Sequence, residues 1–426
     1  MQVITDLHIH SKYSRACSKQ ITIPNLEKWA RIKGVDLLGT GDFTHPLWFK
    51  HLKETLTEKN GILRTKNSFP FILQTEVSLI YSQGGKTRKV HFVLLSPDFE
   101  TAEKITEYFK RYGRVDYDGR PIFGIKSYDM VRELKAIDDL IEIIPAHVWT
   151  PWFGLFGSKS GFDSVEECFK DQSKHIYALE TGLSSDPEMN WMLSSLDKYQ
   201  LVSSSDSHSF WPWRMGREAT VFDLNSDFSY KDIIDAIRNK KVLKTVEVDP
   251  AYGKYHYTGH RKCNIVMEPE KALENNNICP VCNQLLTVGV MERVKELADR
   301  EKPLKPEGAS DFIRLIPLSE IISTVLKTSI NSKTVWAIYN KMIEEFGNEY
   351  NILLKADKEK LSEVVDSRIA ETIIQIRQGN LKVKPGFDGV YGVPLITGNE
   401  EYNIFDVPKK EITDKRERQK GLGDFS

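Results

Sequence analysis

Residues 3–10 read VITDLHIH. The segment opens on β-branched residues and ends on two histidines one residue apart. Alternate side chains of a strand share a face, so His8 and His10 point the same way. Six further apolar runs follow, at 35–42, 69–77, 90–95, 140–148, 175–182 and 201–205. Between several of them lie amphipathic stretches such as IPNLEKWARIKG (23–34) and SYDMVRELKAI (127–137). Strand–helix alternation predicts a parallel sheet, and seven such strands suit a β/α barrel.

Metal-binding residue types fall at or near the ends of these runs. Asp42 follows VDLLGTG, with His45 three residues on. Glu76 ends FPFILQTE, His91 opens HFVLL, and His147 follows IEIIPA. Asp206 and His208 follow LVSSS as DSH. The C-terminal strand ends of a β/α barrel carry its active site, so His8, His10, Asp42, Glu76, His91, His147, Asp206 and His208 are expected to converge there. Imidazole and carboxylate together suit Zn²⁺, Mn²⁺ or Fe²⁺ better than a purely oxygen-seeking ion. Eight ligands exceed the need of one ion, so two or three divalent ions (Zn, Mn or Mg) are expected. Clustered ions activate water and clamp the oxygens of a displacement at phosphorus. Neither a G-x-S-x-G elbow nor a P-loop competes with this reading. His45 is read as an outer or substrate-binding group, and His51 and His175 as surface or structural.

At 426 residues the chain is long enough for two or three domains. Fifty-nine basic residues against sixty acidic ones exclude a basic coat over the whole chain, though not a local basic groove. Five cysteines are too few, and odd in number, for a secreted disulfide framework. The start MQVITDLHIH does not read as a signal peptide, and no apolar run of about 18 residues suggests a membrane span. A soluble, cytoplasmic, nucleoid-associated protein is expected.

A second cluster lies at 256–282. Cys279-Pro-Val-Cys282 is one knuckle and His260-Arg-Lys-Cys263 its partner, a spacing suited to one closed structural zinc. His256 rivals His260 for the fourth place. Cys17 and Cys168 read as ordinary buried thiols. Helical patterns follow between 311 and 380, then the glycine–aromatic stretch KPGFDGVYGVP (384–394), which either touches DNA or packs as a loop. The expected division is 1–248, a metal-dependent barrel; 249–300, a zinc module; 301–410, a helical part; and 411–426, a flexible tail.

DLHIHS, GTGDFTH, PAHVWTPW and SDSHS, with Glu76 and His91, resemble the successive motifs of the PHP (polymerase and histidinol phosphatase) superfamily. That resemblance implies a distorted (β/α)7 barrel and the eight residues above as ligands. Two departures stand out: Ser14-Arg15-Ala16 where many members carry an acid or histidine, and Thr40-Gly41-Asp42 where a TDH is common. Further stretches (HIHSKYSRACSKQ, PAHVWTPWFGLFGSKSGFDS, ETGLSSDPEMNW, and YHYTGHRKC with CPVC) resemble the endonuclease Q family over essentially the whole length. The resemblance implies a DNA repair endonuclease. It would cut 5′ of uracil, hypoxanthine, xanthine or an abasic site with metal-activated water, leaving 3′-hydroxyl and 5′-phosphate ends. An extruded base needs an aromatic or polar receptor. Trp149, Trp152, Phe153, Asp186 and Asn190 are the expected substrate contacts, although such aromatics are as often core. Lys159, Arg214 and Arg217 are expected near phosphates.

The chain's last residues, Gln419-Lys-Gly-Leu422-Gly-Asp-Phe425-Ser426, have the Q-x-x-L-x-x-F form of a sliding-clamp (PCNA) peptide, in which Leu422 and Phe425 fill an apolar groove. The competing function classes are a small-molecule phosphoesterase of the histidinol-phosphatase type and a non-catalytic binding module. A zinc module and helical region argue against the former, the full ligand set against the latter.

Overall fold

Gly84 and Gly85 reverse the chain between two long strands, and that reversal sets the sheet. Both take positive φ, 61° and 73°, as a tight two-residue hairpin turn requires. The computed structural model describes residues 1–380 and 382–395. The first seven strands named here are β1 (Gln2–Asp6), β2 (Leu37–Gly39), β3 (Pro70–Gln83), β4 (Lys86–Ser96), β5 (Glu142–Pro145), β6 (Ala178–Glu180) and β7 (Gln200–Val202). Each coincides with one of the seven apolar runs.

β1, β2 and β3 pair in parallel, as do β6 and β7. β4 runs antiparallel to both β3 and β5. The fold is therefore mixed α/β and not the all-parallel sheet that strand–helix alternation predicts. The cause is local: two residues can close a hairpin, whereas a parallel return needs a crossover of a dozen or more. The hairpin also lengthens the strands, so Glu76 lies in the middle of β3 and not at its end, directly beside Val93 of β4.

Alternation along the strands explains why they are apolar on both faces. Leu37, Ile72, Val93, Ile144, Ala178 and Val202 meet in an inner core. Their neighbours Leu38, Phe71, Leu94, Ile143, Leu179 and Leu201 face outward, under helices such as Ile23–Lys33 and Ser127–Ile137. The sheet curls toward closure through single contacts. Val148 N donates to Glu180 O at 3.0 Å, and His10 N to Ser207 O at 2.9 Å.

β8 (Ala219–Asp223) extends the sheet antiparallel to β1, and β9 (Val242–Glu247) antiparallel to β8. A strand from far downstream, β10 (Asp311–Arg314), pairs parallel with β9. Strand pairing thus crosses the division expected at 301. Five helices follow between Leu318 and Arg377. They dock on the chain after Asp206 through a buried polar cluster. Lys33 Nζ donates to Glu349 Oε1 (2.6 Å) and to Pro212 O (2.8 Å), and Tyr350 OH to Gly216 O (2.6 Å). The stretch at 384–394 is a loop packed on the segment around 251–261: Tyr257 N donates to Gly386 O and Arg261 N to Asp388 Oδ2. A Cβ on Gly386 or Gly392 would collide with the carbonyls of Gly253 or Ala251, which accounts for the glycines. Gln419, Leu422 and Phe425 lie outside the described residues. No helix among the described residues is long and apolar enough to cross a membrane.

Glu218 and Glu247 are wholly buried beneath the site. Ser203 and Val248 N donate to Glu218, Thr181 to Glu247, and Glu247 Oε1 has no hydrogen-bond partner. Burial and the neighbouring carboxylates, Asp186 among them, push Glu247 up to about 8. The folded state therefore holds a proton that the unfolded chain releases near its ordinary carboxylate value. Stability from this group is complete below that value and is lost as pH rises toward 8. Glu247→Gln should melt with wild type at pH 5 and several degrees above it at pH 8.5, measured by calorimetry; equal pH profiles would remove the buried proton.

Candidate active site

Glu76 stands at the centre of the mouth, fully buried, and its two oxygens face different partners. Oε2 lies 3.1 Å from His10 Nε2 and 3.6 Å from His8 Nε2. Oε1 lies 2.6 Å from His91 Nδ1 and 3.3 Å from His147 Nε2. Asp206 Oδ1 completes the first set, 3.0 Å from His10 Nε2 and 3.6 Å from His8 Nε2. Two donors on one tetrahedral ion at ordinary bond lengths stand about 3.4 Å apart. His8, His10, Glu76 and Asp206 offer one such set, and Glu76, His91 and His147 a second. One carboxylate shared by two neighbouring positions is the arrangement a two-ion site uses.

The residues fit metal on a further observation: His8 Nε2 is buried with no hydrogen-bond partner. The opposite ring nitrogens are fixed from outside. His8 Nδ1 meets both oxygens of Glu180 at 3.0 and 3.1 Å, His10 Nδ1 meets Asp42 Oδ1 at 3.0 Å, and His147 Nδ1 meets Thr150 Oγ1 at 2.9 Å. Orienting acceptors of this kind set the tautomer and aim Nε2 inward. Burial works against the charged imidazolium, yet Glu180 and Asp42 hold His8 and His10 well above the ordinary value. Burial also opposes ionisation of Glu76, but Arg120, His91 and His8 hold it well below the usual carboxylate range. His91 goes the other way, since burial outweighs Glu76 and brings it down to about 4.

Three of these positions are strained. Asp42, His147 and Asp206 have φ of 44°, 32° and 48°, in the left-handed region that L-residues avoid. Each costs on the order of 1–3 kcal/mol and persists where the surroundings dictate it, commonly at functional sites.

Six of the eight expected ligands form these two sets. Asp42 and His208 fall outside both. Asp42 is spent on His10, on Ser11 N (2.6 Å) and on Ser14 Oγ (2.9 Å). His208 packs its ring 4.5 Å from that of His10 and turns Nδ1 to Asp206 O. His45 stacks on Tyr13 instead of entering the cluster.

Two of the expected substrate aromatics lie near the site. The Phe153 ring is 4.4 Å from that of His91, and Trp152 is exposed against Tyr255. The other three expected contacts are interior groups. Trp149 Nε1 donates to Asn190 Oδ1 at 2.9 Å, with both residues 1% exposed. Asp186 caps the turn at Met189 and pairs with Arg314. A buried indole needs an acceptor, and a buried carboxylate needs a cation, so these three partner the core and not a ligand.

The motif reading passes over Glu180, although it ends a strand as the ligands do, and over Arg120. The guanidinium of Arg120 donates to Glu76 Oε2 at 3.0 Å from a loop with no periodicity to flag it. A cavity of about 180 Å³ adjoins the site, lined by Leu183, Arg214, Arg217, Tyr252, Glu320 and Tyr391 among others. Arg217 ties it to the metal set, since its Nη2 donates to Ser205 O at 3.1 Å while its Nε is buried without a partner.

The second cluster forms as spaced. His260, Cys263, Cys279 and Cys282 bring one donor atom each to within 4.8 Å of the others. His256 is not among them; it stacks on Tyr257, and burial brings it down to about 4. Burial opposes ionisation of Cys279, but contacts from His260 and from Val281 and Cys282 N–H bring it down to about 6, as a thiolate ligand needs.

Residues 317–380 match the family described as the MJ0043 C-terminal domain. The chain is 33% identical over 290 residues to the uncharacterized protein MJ0043 of Methanocaldococcus jannaschii, covering 66% of this chain. It spans only about a third (35%) of the length of that protein. It is 27% identical over 410 residues to the uncharacterized protein YqxK of Bacillus subtilis, covering 92% of this chain and 98% of that one. Two solved structures superimpose on it. The lesion-specific endonuclease PfuEndoQ from Pyrococcus furiosus has a TM-score of 0.84 at 32% identity, covering 97% of this chain and 98% of its own. An endonuclease Q complex with a 27-mer duplex carrying an abasic lesion at the active site has a TM-score of 0.83 at 33% identity, covering 97% and 100%. The chain belongs to the endonuclease Q family.

Proposed function

We propose that the protein is a metal-dependent DNA repair endonuclease that hydrolyses the phosphodiester 5′ of a deaminated base or abasic site. One observation carries this reading: a two-set donor cluster around Glu76 lies in a chain that follows, over 97% of its length, an endonuclease bound to abasic-lesion DNA. The frame is read as a distorted (β/α)7 barrel whose strands are β1 to β7. Bound divalent ions would supply an activated water and neutralise charge building up at phosphorus. His8, His10, Glu76 and Asp206 would hold one ion and Glu76, His91 and His147 another. Asp42, Glu180 and Thr150 orient the imidazoles, and His208 stands beside His10 as a group for a third ion or for the departing oxygen.

The cavity beside Ser205 suits the extruded base. Arg214 and Arg217 offer donors, Glu320 an acceptor, and Tyr252 and Tyr391 flat walls. Deamination turns an amino edge into a lactam, with a carbonyl oxygen and an adjacent N–H. A guanidinium at the carbonyl and a carboxylate at the ring N–H complement that edge. Adenine and cytosine present the reverse order, an amino donor in place of the carbonyl and a ring-nitrogen acceptor in place of the N–H. The zinc segment, with Arg261 and Lys262 exposed on its knuckle, would brace the duplex. The tail at 419–426 would carry the protein to a sliding clamp, and its deletion should cost clamp binding and leave nicking intact.

A small-molecule phosphoesterase has no use for a lactam pocket or a second metal module. The test compares, with Mn²⁺ or Mg²⁺, a duplex bearing one deoxyuridine or deoxyinosine with p-nitrophenyl phosphate and histidinol phosphate. Nicking of the lesion strand with little monoesterase turnover supports the endonuclease. Rapid monoester turnover with intact duplex would overturn it. Glu320→Gln should lower the rate on deoxyinosine about tenfold or more and spare the abasic site, which presents no base.

A further inference from the structure

The turn Asp118-Gly119-Arg120 folds into the mouth of the site from a region remote in sequence from every metal-binding motif. Gly119 N donates to Tyr13 O at 3.1 Å. Its α-carbon lies so close to Asp42 that a Cβ would collide with the Asp42 carboxylate and the Ser14 hydroxyl. Glycine is the residue that permits this approach. Asp118 fixes the turn from the other side: its carboxylate accepts from Arg120 N at 3.2 Å and pairs with Arg15 Nε at 3.1 Å. The close packing delivers one side chain, Arg120, to the cluster.

A guanidinium carries five N–H donors. Arg120 spends one of them, from Nη1 to Glu76 Oε2. Among the described residues the other four have no hydrogen-bond partner, and the side chain is 28% exposed toward solvent. A purely structural arginine in a carboxylate-rich pocket would be expected to take a bidentate grip on its partner. Arg120 touches the carboxylate shared by both ion sets with one edge and leaves its remaining donors facing the opening. Lys12 and Arg15, also near the entrance in sequence, do not approach Glu76; Arg15 is spent on Asp118.

We propose that Arg120 is a catalytic residue that donates to a non-bridging oxygen of the scissile phosphate and stabilises the charge developing there. The inference rests on the phosphodiesterase reading above. In the step it serves, the oxygen of water bonds to phosphorus as the P–O3′ bond breaks. The water loses one proton, O3′ gains one, and the products are a 3′-hydroxyl and a 5′-phosphate. Arg120 forms and breaks no covalent bond and transfers no proton. It supplies a fixed, always charged donor pair at a place where reorganising solvent would be costly. The contact to Glu76 holds the guanidinium in place before substrate arrives.

The test uses the full chain and four readouts on wild type, Arg120→Ala and Arg120→Lys. These are metal content by mass spectrometry, melting temperature, affinity for uncut lesion duplex in Ca²⁺, and single-turnover rate in Mn²⁺. The expected result is unchanged metal content and melting, affinity within about threefold, and a rate on the order of 10²–10³-fold lower for Arg120→Ala. Arg120→Lys should recover part of the loss, and millimolar guanidinium ion should raise the rate of Arg120→Ala but not that of wild type. A rate within threefold of wild type overturns the proposal. So does a rate loss matched by lost metal, which would make Arg120 a mere counter-ion of Glu76. If wild type leaves lesion DNA intact but hydrolyses bis(p-nitrophenyl) phosphate, the DNA reading fails by itself. Arg120 is then judged by the same comparison on that diester.

Discussion

Asp206→Asn is expected to lower the nicking rate by at least about 10³-fold while leaving the fold and DNA affinity nearly unchanged. The residue is held at φ 48° with Oδ1 aimed at His8 and His10, and its side chain is 31% exposed toward the mouth. Asparagine keeps the shape and removes the charge, so the loss reports ligand chemistry rather than packing. Asp42→Asn is the informative contrast. Its carboxylate faces His10 Nδ1, Ser11 N and Ser14 Oγ, so the expectation is that it orients His10 and does not itself bind an ion. Losses of 10- to 100-fold are typical for such outer groups. Equal losses at both positions, with equal loss of bound metal, would return Asp42 to the ligand set. Rates would be taken under single turnover, with metal content measured on the same samples.

Cys279→Ser is expected to release the structural zinc, about one equivalent per chain, and to unfold the segment around it. That segment has little apolar core of its own. Leu273, Ile278, Val281 and Leu285 are all exposed, and two short strands, Thr258–His260 and Ile265–Met267, pair with each other and gain one further bridge, from Gly259 to Thr287. Structural zinc contributes on the order of 10 kcal/mol or more to modules of this kind. The loss should spread to the 386–390 loop, whose Asp388 holds Arg261 N and Thr287. The inner core of β1 to β7 should survive, so hydrogen exchange would show new opening confined to residues near 256–290 and 386–390. Uniform protection in the variant would remove zinc from the account.

How much of this was legible in the sequence depends on what each residue's partner was. His8 and His10 were legible as a pair through their alternation, although β1 ends at Asp6 and both lie just past it, so the strand reading ran too far. Cys263, Cys279 and Cys282 were, because thiols in a polar segment have few other roles. Glu76 was singled out as a candidate ligand and does join the donor cluster, but it was misplaced along its strand. The Gly84–Gly85 pair that lengthens β3 and reverses β4 is a hairpin signal, and strand–helix alternation masks it. Trp149, Asp186 and Asn190 were misjudged because they follow strand ends, as true site residues do. Only their buried partners, one another and Arg314, distinguish them. Arg120 and Glu180 gain their roles from residues far away in the chain: 44 positions separate Arg120 from Glu76, and 172 separate His8 from Glu180. No local pattern encodes contacts of that length. The near-neutral net charge is also uninformative here, since a balanced total says nothing of how charge is distributed over the surface.

The most direct test of the central claim is a map of the cut. Metal-stripped protein is given back Mn²⁺, Mg²⁺ or Zn²⁺ singly, with an end-labelled duplex carrying one deoxyuridine, deoxyinosine or abasic site at a known position. The account predicts no product without metal. With metal it predicts a single nick immediately 5′ of the lesion, bearing a 3′-hydroxyl and a 5′-phosphate, and no cut in the undamaged duplex. Cleavage independent of the lesion, or equal cleavage with metal removed, would contradict it.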